Sequence, residues 1–207
     1  MQNGLETNQL ELRGTIETMP EYSHKSYGEV FYCFTLAVER KSGYRDQLQV
    51  MVSERLIWNL DIKTDIKAYI SGQIRTYNQI IDGKNKLNIV AFAREISLLE
   101  EEEEETVLDE NKVYLEGYLC KLPVYRVSPL GREICDMMLA VNRMYNKSDY
   151  IPCIAWGRNA SYAESLKVGT RIRISGRFQS REYRKKDEEG NVTIKVAYEV
   201  SIVKIED

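Results

Sequence analysis

Arg171, Arg173, Arg177 and Arg181 occupy odd-numbered positions of "RIRISGRFQSREYR", and Tyr183 continues the row. Neighbouring side chains of a β-strand point to opposite faces. The spacing therefore predicts four guanidiniums and a phenol on one face, with Ile172, Ile174 and Phe178 on the other. Guanidiniums hold phosphate oxygens and stack on flat rings. Aromatic rings stack on unpaired bases at about 1–3 kcal/mol per base. Along the strand no acidic residue interrupts the row before Glu182, which points the other way. Such a face suits a polyanion with exposed bases; an ordinary solvated strand face is the plainer reading.

Further rings stand upstream. Tyr145 ends one apolar run, Tyr150 opens the next and Trp156 closes it. Tyr150, Pro152, Ile154 and Trp156 share parity, so Trp156 faces either a ligand or a core. Lys185 and Lys186 follow Tyr183 in a hairpin, as phosphate contacts or as a solvated turn.

The elements that position these residues occur twice. "NQLELRG" at 8–14 matches "NKVYLEG" at 111–117, and "LAVER" falls on "LAVNR" at the same shift of 103, as Asp46 falls on Asp149. At a shift of 104, "ISG" (70–72) lies on "ISG" (174–176), Glu95 on Glu199 and Ser97 on Ser201. Two copies are expected, 8–99 and 111–207, joined by an acidic tether at 100–110. Each copy reads as five strands, with one short helix between the third and fourth. That is the plan of the OB-fold, a five-stranded Greek-key barrel. The expected class is all-β, as two tandem OB-folds.

Charge locates the polyanion-binding copy. The chain of 207 residues has a net charge of −3, but residues 100–105 are six consecutive glutamates. From Asn111 to the end there are 17 Lys/Arg against 12 Asp/Glu; from Asn8 to Leu99 there are 12 against 11. The glutamate run reads as a solvated linker, with an acidic docking peptide as the alternative. The four cysteines (Cys33, Cys120, Cys135, Cys153) are scattered without a CxxC pair, so reduced thiols in a cytoplasm and no structural metal are expected. The one histidine, His24, sits in the loop between the first two expected strands, with no ligating residue close in sequence. No secretory leader, membrane span, phosphate-cradling glycine loop or nucleophile elbow is visible, so a non-enzymatic protein without cofactor is expected.

Copy two resembles the bacterial single-stranded DNA-binding protein family. The residues that carry the likeness are "NKVYLEGYL", Pro123, "LAVNR", "DYIPCIAWGRNASYAESLKVGTRIRISGRFQSREY" and "YEVSIV". The resemblance implies stacking aromatics at Tyr145, Tyr150, Trp156 and Tyr183. It implies four OB-folds per working unit, hence a homodimer, with "NQLELRGTI" and "NKVYLEGYL" pairing across subunits. Members end in an acidic-hydrophobic tail; the sequence in hand ends at "VKIED", so recruitment by that tail is not expected. In copy one, Gln47, Ser53 and Gln79 replace Tyr150, Trp156 and Tyr183. Tyr44 stands near the place of Tyr145, and Lys67, Tyr69, Arg75 and Tyr77 share one outward face. Copy two is expected to grip the strand while copy one completes the assembly; alternatively Tyr69 and Tyr77 re-supply the lost contacts.

The leading expectation is sequence-tolerant single-stranded DNA binding in replication, recombination or repair, with replication or repair proteins as partners. Two others stay open: a protein-interaction module with weak DNA affinity, and an RNA-binding OB protein.

Overall fold

The computed structural model describes residues 7–81, 83–99, 108–186 and 190–206. The first half contributes β1 (Asn8–Ile16), β2 (Glu21–Ser26), β3 (Glu29–Glu39), β4 (Arg45–Ser53), the one-turn helix α1 (Glu54–Ile57), β5 (Lys67–Ile81) and β6 (Lys84–Leu98). The second half contributes β7 (Glu110–Leu119), β8 (Val124–Val127), β9 (Glu133–Asn142), β10 (Ser148–Trp156), α2 (Arg158–Glu164), β11 (Arg171–Lys186) and β12 (Val192–Glu206).

The strands run β2-β3-β4-β6-β5-β1-β7-β11-β12-β10-β9-β8, and β1 also pairs β3 as β7 pairs β9. Those extra pairings close β1-β5-β6-β4-β3 and β7-β11-β12-β10-β9 into two five-stranded barrels of the expected OB plan. Each half adds one strand beyond the expected five. β2 and β8 form in the loop after the first strand and pair with β3 and β9. His24 therefore lies in a strand rather than a loop. The glutamates 100–105 lie outside the described residues. Glu110, expected in the tether, opens β7. Asp109 accepts the Glu39 amide at 2.7 Å and a Lys67 ion pair at 3.1 Å.

Alternation does what the sequence predicts for the core. Leu12, Leu36, Val50 and Ile70 fill one barrel, and Leu115, Leu139, Ile174 and Phe178 the other, all buried. Each such side chain contributes roughly 1.5–3 kcal/mol relative to exposure. The glycine of each "ISG" sits at a β-bulge. A Cβ on Gly72 would stand 2.1 Å from the Phe92 carbonyl oxygen, and one on Gly176 2.2 Å from that of Ser201. Only glycine admits that approach.

Two expectations need correction. The first strands do not present free edges for a second chain. They pair with each other inside the chain, from Asn8↔Leu115 to Arg13↔Glu110. The last strands also align differently. Ile74 pairs Ala91 and Phe178 pairs Val200, so Ala91 is the counterpart of Val200 and the second hairpin is five residues longer. Glu95 consequently matches Lys204 rather than Glu199.

A second contact joins the barrels. Asp149, fully buried, accepts the Thr76 amide at 2.6 Å and pairs with Arg143, whose Nη2 donates to the Thr76 carbonyl at 2.9 Å. Reciprocally, Asp46 accepts the Ser180 amide at 2.9 Å and pairs with Arg40, which reaches the Ser180 carbonyl at 3.3 Å. Each barrel thus clips the long fourth strand of the other at equivalent positions. The repeated "LAVER"/"LAVNR" and Asp46/Asp149 are the clip residues.

Candidate nucleic-acid interface

The arginine row of β11 divides at the Gly176 bulge. Arg171 to Gly176 pair with β7, and the register sets Arg173 opposite Glu116. The largely buried Glu116 carboxylate accepts from Arg171 and, at 3.3 Å, from Arg173. That bond raises the Arg171 guanidinium above its ordinary value. Beyond the bulge, Gln179 lies opposite Glu199 on β12. Glu199 accepts from Arg181 at 3.0 and 3.2 Å and from Gln179 at 2.9 Å. Its hydrogen bond likewise raises Arg181. The expectation of a row free of carboxylates is therefore overturned. It considered acids along one strand only, whereas in a sheet the close same-face neighbours sit on flanking strands about 5 Å away.

Arg177 is different. Its Nη2 donates to Gln179 Oε1 at 3.3 Å, and its Nε is buried without a partner. Burial pushes this guanidinium below its ordinary value, Arg40 pushes further, and Asp46 partly offsets both. Of the four arginines in the row, only Arg177 is without a carboxylate ion pair among the described residues.

Tyr150 and Tyr183 are exposed, at 50% and 39%. Trp156 is half-buried, and its Nε1 donates to Ser201 Oγ at 3.2 Å, so it is neither a pure core residue nor a free ring. Tyr145 falls in a 3-10 turn, Met144–Asn146, and its ring lies outside the described residues, as does the Lys185 side chain. Lys186 is exposed at the end of β11.

In the first barrel, the expected common face of Lys67, Tyr69, Arg75 and Tyr77 also divides at a bulge. Lys67 and Tyr69 lie where β5 pairs β1; Lys67 pairs with Asp109, and Arg13 stands 5.9 Å from the Tyr69 ring centre. Arg75 and Tyr77 lie beyond, and both line a cleft on the barrel face. Tyr44 sits in the β3–β4 turn with the Arg40 guanidinium 4.4 Å above its ring.

The sequence reading missed a hydrophobic cluster on the outer face of this barrel. Phe31, Met51 and Val90 are buried together, with Cys33 and Phe92 packed against them. Val90 and Phe92 share parity with the outward-facing Asn88, which is the signal that could have revealed them. Among the described residues no helix is long and apolar enough to cross a membrane, and no group of metal-ligating side chains assembles.

Residues 110–205 match the model of the Single-strand binding protein family. A "Single-stranded DNA-binding protein" of Clostridium tetani is 39% identical over 84 residues, covering 37% of this chain and 58% of the relative. "Single-stranded DNA-binding protein A" of Bacillus subtilis is 38% identical over 80 residues, covering 35% and 46%. The chain thus spans about half the length of the curated relatives it matches. The crystal structure of wild-type single-stranded DNA binding protein from Thermus aquaticus superposes with a TM-score of 0.75 over 96% of this chain and 91% of that one. At 22% identity that likeness shows the fold alone. The C-terminal barrel, rather than the chain as a whole, is thus what matches the single-strand binding protein family.

Proposed function

We propose that the chain binds single-stranded DNA without reading its sequence, in replication, recombination or repair, and that it is not an enzyme. The observation that carries this is the C-terminal barrel face, where exposed Tyr150 and Tyr183 and half-buried Trp156 accompany the carboxylate-free Arg177. Rings take the bases and guanidiniums the phosphates. Names of the relatives and the family match of residues 110–205 support the same ligand.

The two barrels, as domains over 8–99 and 111–207, act within a homodimer that supplies four OB-folds. With the β1 and β7 edges joined to each other, the dimer surface is the outward face of β5-β1-β7-β11. Glu11 and Arg13 there face charges of both signs, which suits self-complementary contact. Arg171 and Arg173 then belong to the dimer contact and Arg177, Arg181 and Lys186 to the strand. The four thiols are free, consistent with a cytoplasmic site of action.

The test is fluorescence titration with a thymine oligomer in a Trp58→Phe background. Trp58 is 77% exposed at the end of α1, and removing it leaves Trp156 as the reporter. Saturable quenching that weakens with salt is expected, with a log–log slope of about 0.7 per phosphate contact. No quenching at low or high salt refutes the proposal. The carboxylate pairing of Arg171, Arg173 and Arg181 favours a second reading, a protein-interaction module with weak DNA affinity. Capture of a replication protein by a chain that leaves the oligomer free would establish that reading instead.

A further inference from the structure

We propose that Asn111 is a positioning residue: its side-chain carboxamide stands in for a strand beside β11 and aims Arg177 at a phosphate. This rests on the single-stranded DNA reading above. It names a residue that does not touch the ligand but sets how a binding residue meets it.

The main-chain ladder between β7 and β11 ends at Val113↔Gly176. Two residues further, the same register sets Asn111 opposite Phe178, but there the partner of Asn111 is Leu12 of β1. The Asn111 side chain bridges the gap. The Phe178 amide donates to Asn111 Oδ1 at 2.8 Å, and Asn111 Nδ2 donates to the Phe178 carbonyl at 2.6 Å. A carboxamide offers donor and acceptor side by side, as a main-chain residue does. Ser180, two residues on, is met by Asp46 and Arg40. This edge of β11 is therefore held by backbone at Gly176, by a carboxamide at Phe178, and by a carboxylate and a guanidinium at Ser180.

The first barrel repeats the arrangement. Its ladder between β1 and β5 ends at Leu10↔Gly72, and Asn8 stands two residues beyond, opposite Ile74. Asn8 Oδ1 accepts the Ile74 amide at 2.9 Å, and Asn8 Nδ2 donates to the Ile74 carbonyl at 2.8 Å. Thr76 then meets Asp149 and Arg143. The asparagines that open "NQLELRG" and "NKVYLEG" thus do one job at equivalent register positions.

The residues that flank the held one give that job a consequence for binding. Peptide groups are planar. The Phe178 amide lies in the plane shared with Arg177, and the Phe178 carbonyl in the plane shared with Gln179. Fixing both planes fixes the directions in which Arg177 and Gln179 leave the sheet, on the face opposite the buried Phe178 ring. Arg177 Nη2 donates to Gln179 Oε1 at 3.3 Å across the held residue. In the first barrel Arg75 donates to Gln73 across Ile74 in the same way. The two arginines differ in one respect. Arg75 is also fixed by Asp149, at 3.1 Å. Arg177 has no carboxylate ion pair among the described residues, and its Nε is buried without a partner. With no acid to orient it, Arg177 takes its direction from the backbone, and Asn111 holds that backbone. Asn8 makes the same two bonds beside an arginine that is already paired, so it is the built-in comparison.

The test titrates the full chain, carrying Asn111→Ala, Arg177→Met or both, with a thymine oligomer of about 30 nucleotides, beyond the roughly 4–16 that one barrel covers. Thermal melting confirms the fold, and Asn111→Ser, which keeps an acceptor for the Phe178 amide, is the gentler form. Each single change should weaken binding at low salt roughly tenfold, as loss of a hydrogen bond to a charged group does, and lower the salt slope by about 0.7 for one phosphate contact. The double variant should bind no worse than Arg177→Met alone, because Asn111 acts through Arg177. Asn8→Ala deletes the equivalent two bonds, and any loss of affinity it causes should be the same with or without Arg177→Met. Unchanged affinity and slope in Asn111→Ala overturns the role, and so do losses that multiply when Asn111→Ala and Arg177→Met are combined. Unchanged binding in Arg177→Met overturns it as well, as does loss of the melting transition in both Asn111 variants, which would make the carboxamide a folding element alone. If the unmodified chain binds no oligomer at all, the underlying reading fails instead.

Discussion

The reciprocal clips make a quantitative prediction about Asp149. Its carboxylate is fully buried and meets Arg143, Arg75 at 3.1 Å, the Thr76 amide at 2.6 Å and the Thr76 hydroxyl at 3.2 Å. Asp46 is equally buried but pairs with one guanidinium, Arg40. Breaking a buried pair by removing one partner costs about 3–5 kcal/mol, because the other charge is left uncompensated. Arg40 and Arg143 are 23% and 25% exposed, so water reaches them and the lower end of that range applies. That gives about 3 kcal/mol for Asp46→Ala. Asp149→Ala strands a second guanidinium, Arg75, which is 19% exposed, and a lost charge-assisted bond adds roughly 1.5 kcal/mol. In urea, with a slope of about 2.5 kcal/mol per molar, the midpoint should fall by about 1.2 M for Asp46→Ala and about 1.8 M for Asp149→Ala. Adding Arg75→Met to Asp149→Ala removes the stranded cation and should recover part of the loss, a coupling that a double-mutant cycle reads directly. An Asp149→Ala midpoint within about 0.4 M of wild type would refute the reasoning. So would a loss no larger than that of Asp46→Ala, or no recovery on adding Arg75→Met.

Glu199→Gln should strengthen oligomer binding and steepen its salt dependence by about 0.7, because Arg181 exchanges a carboxylate for a neutral amide; titrations at several salt concentrations check this, and weaker binding would count against Arg181 as a phosphate contact. Gly72→Ala should destabilise by about 2–3 kcal/mol through collision with the Phe92 carbonyl. Gly83→Ala, in an open hairpin turn with φ +71°, should cost only roughly 1–2 kcal/mol of backbone strain. Equal shifts in urea midpoint for the two would show that the close approach is not what fixes Gly72.

Within each strand the sequence was legible, because alternation needs no knowledge of neighbours. The barrel plan, the core rows and the repeat of Asp46 at Asp149 follow from periodicity and spacing alone. What escaped depends on pairing between strands. "AREISL" and "YEVSIV" look equivalent, yet the structure sets their counterparts five residues apart. A bulge reverses the parity of a strand, so an odd shift can preserve the appearance of alternation. Glu95 and Glu199 both point outward, one on each side of its bulge. The arginine row failed in the same way, since Glu116 and Glu199 are far off in sequence and adjacent only in the sheet. His24 depended on β2, a strand that the loop did not announce. The same cause bears on how the two copies compare. Ranking by aromatic identity favoured the C-terminal barrel, where Tyr150, Trp156 and Tyr183 persist. Cross-strand pairing, in contrast, leaves Arg177 alone of its row without a carboxylate ion pair among the described residues, and in the N-terminal barrel Arg94 likewise meets Gln73 rather than an acid. Bases need rings and phosphates need unspent charge. Sequence shows where the rings stand; only the pairing of strands shows which charges are left unspent.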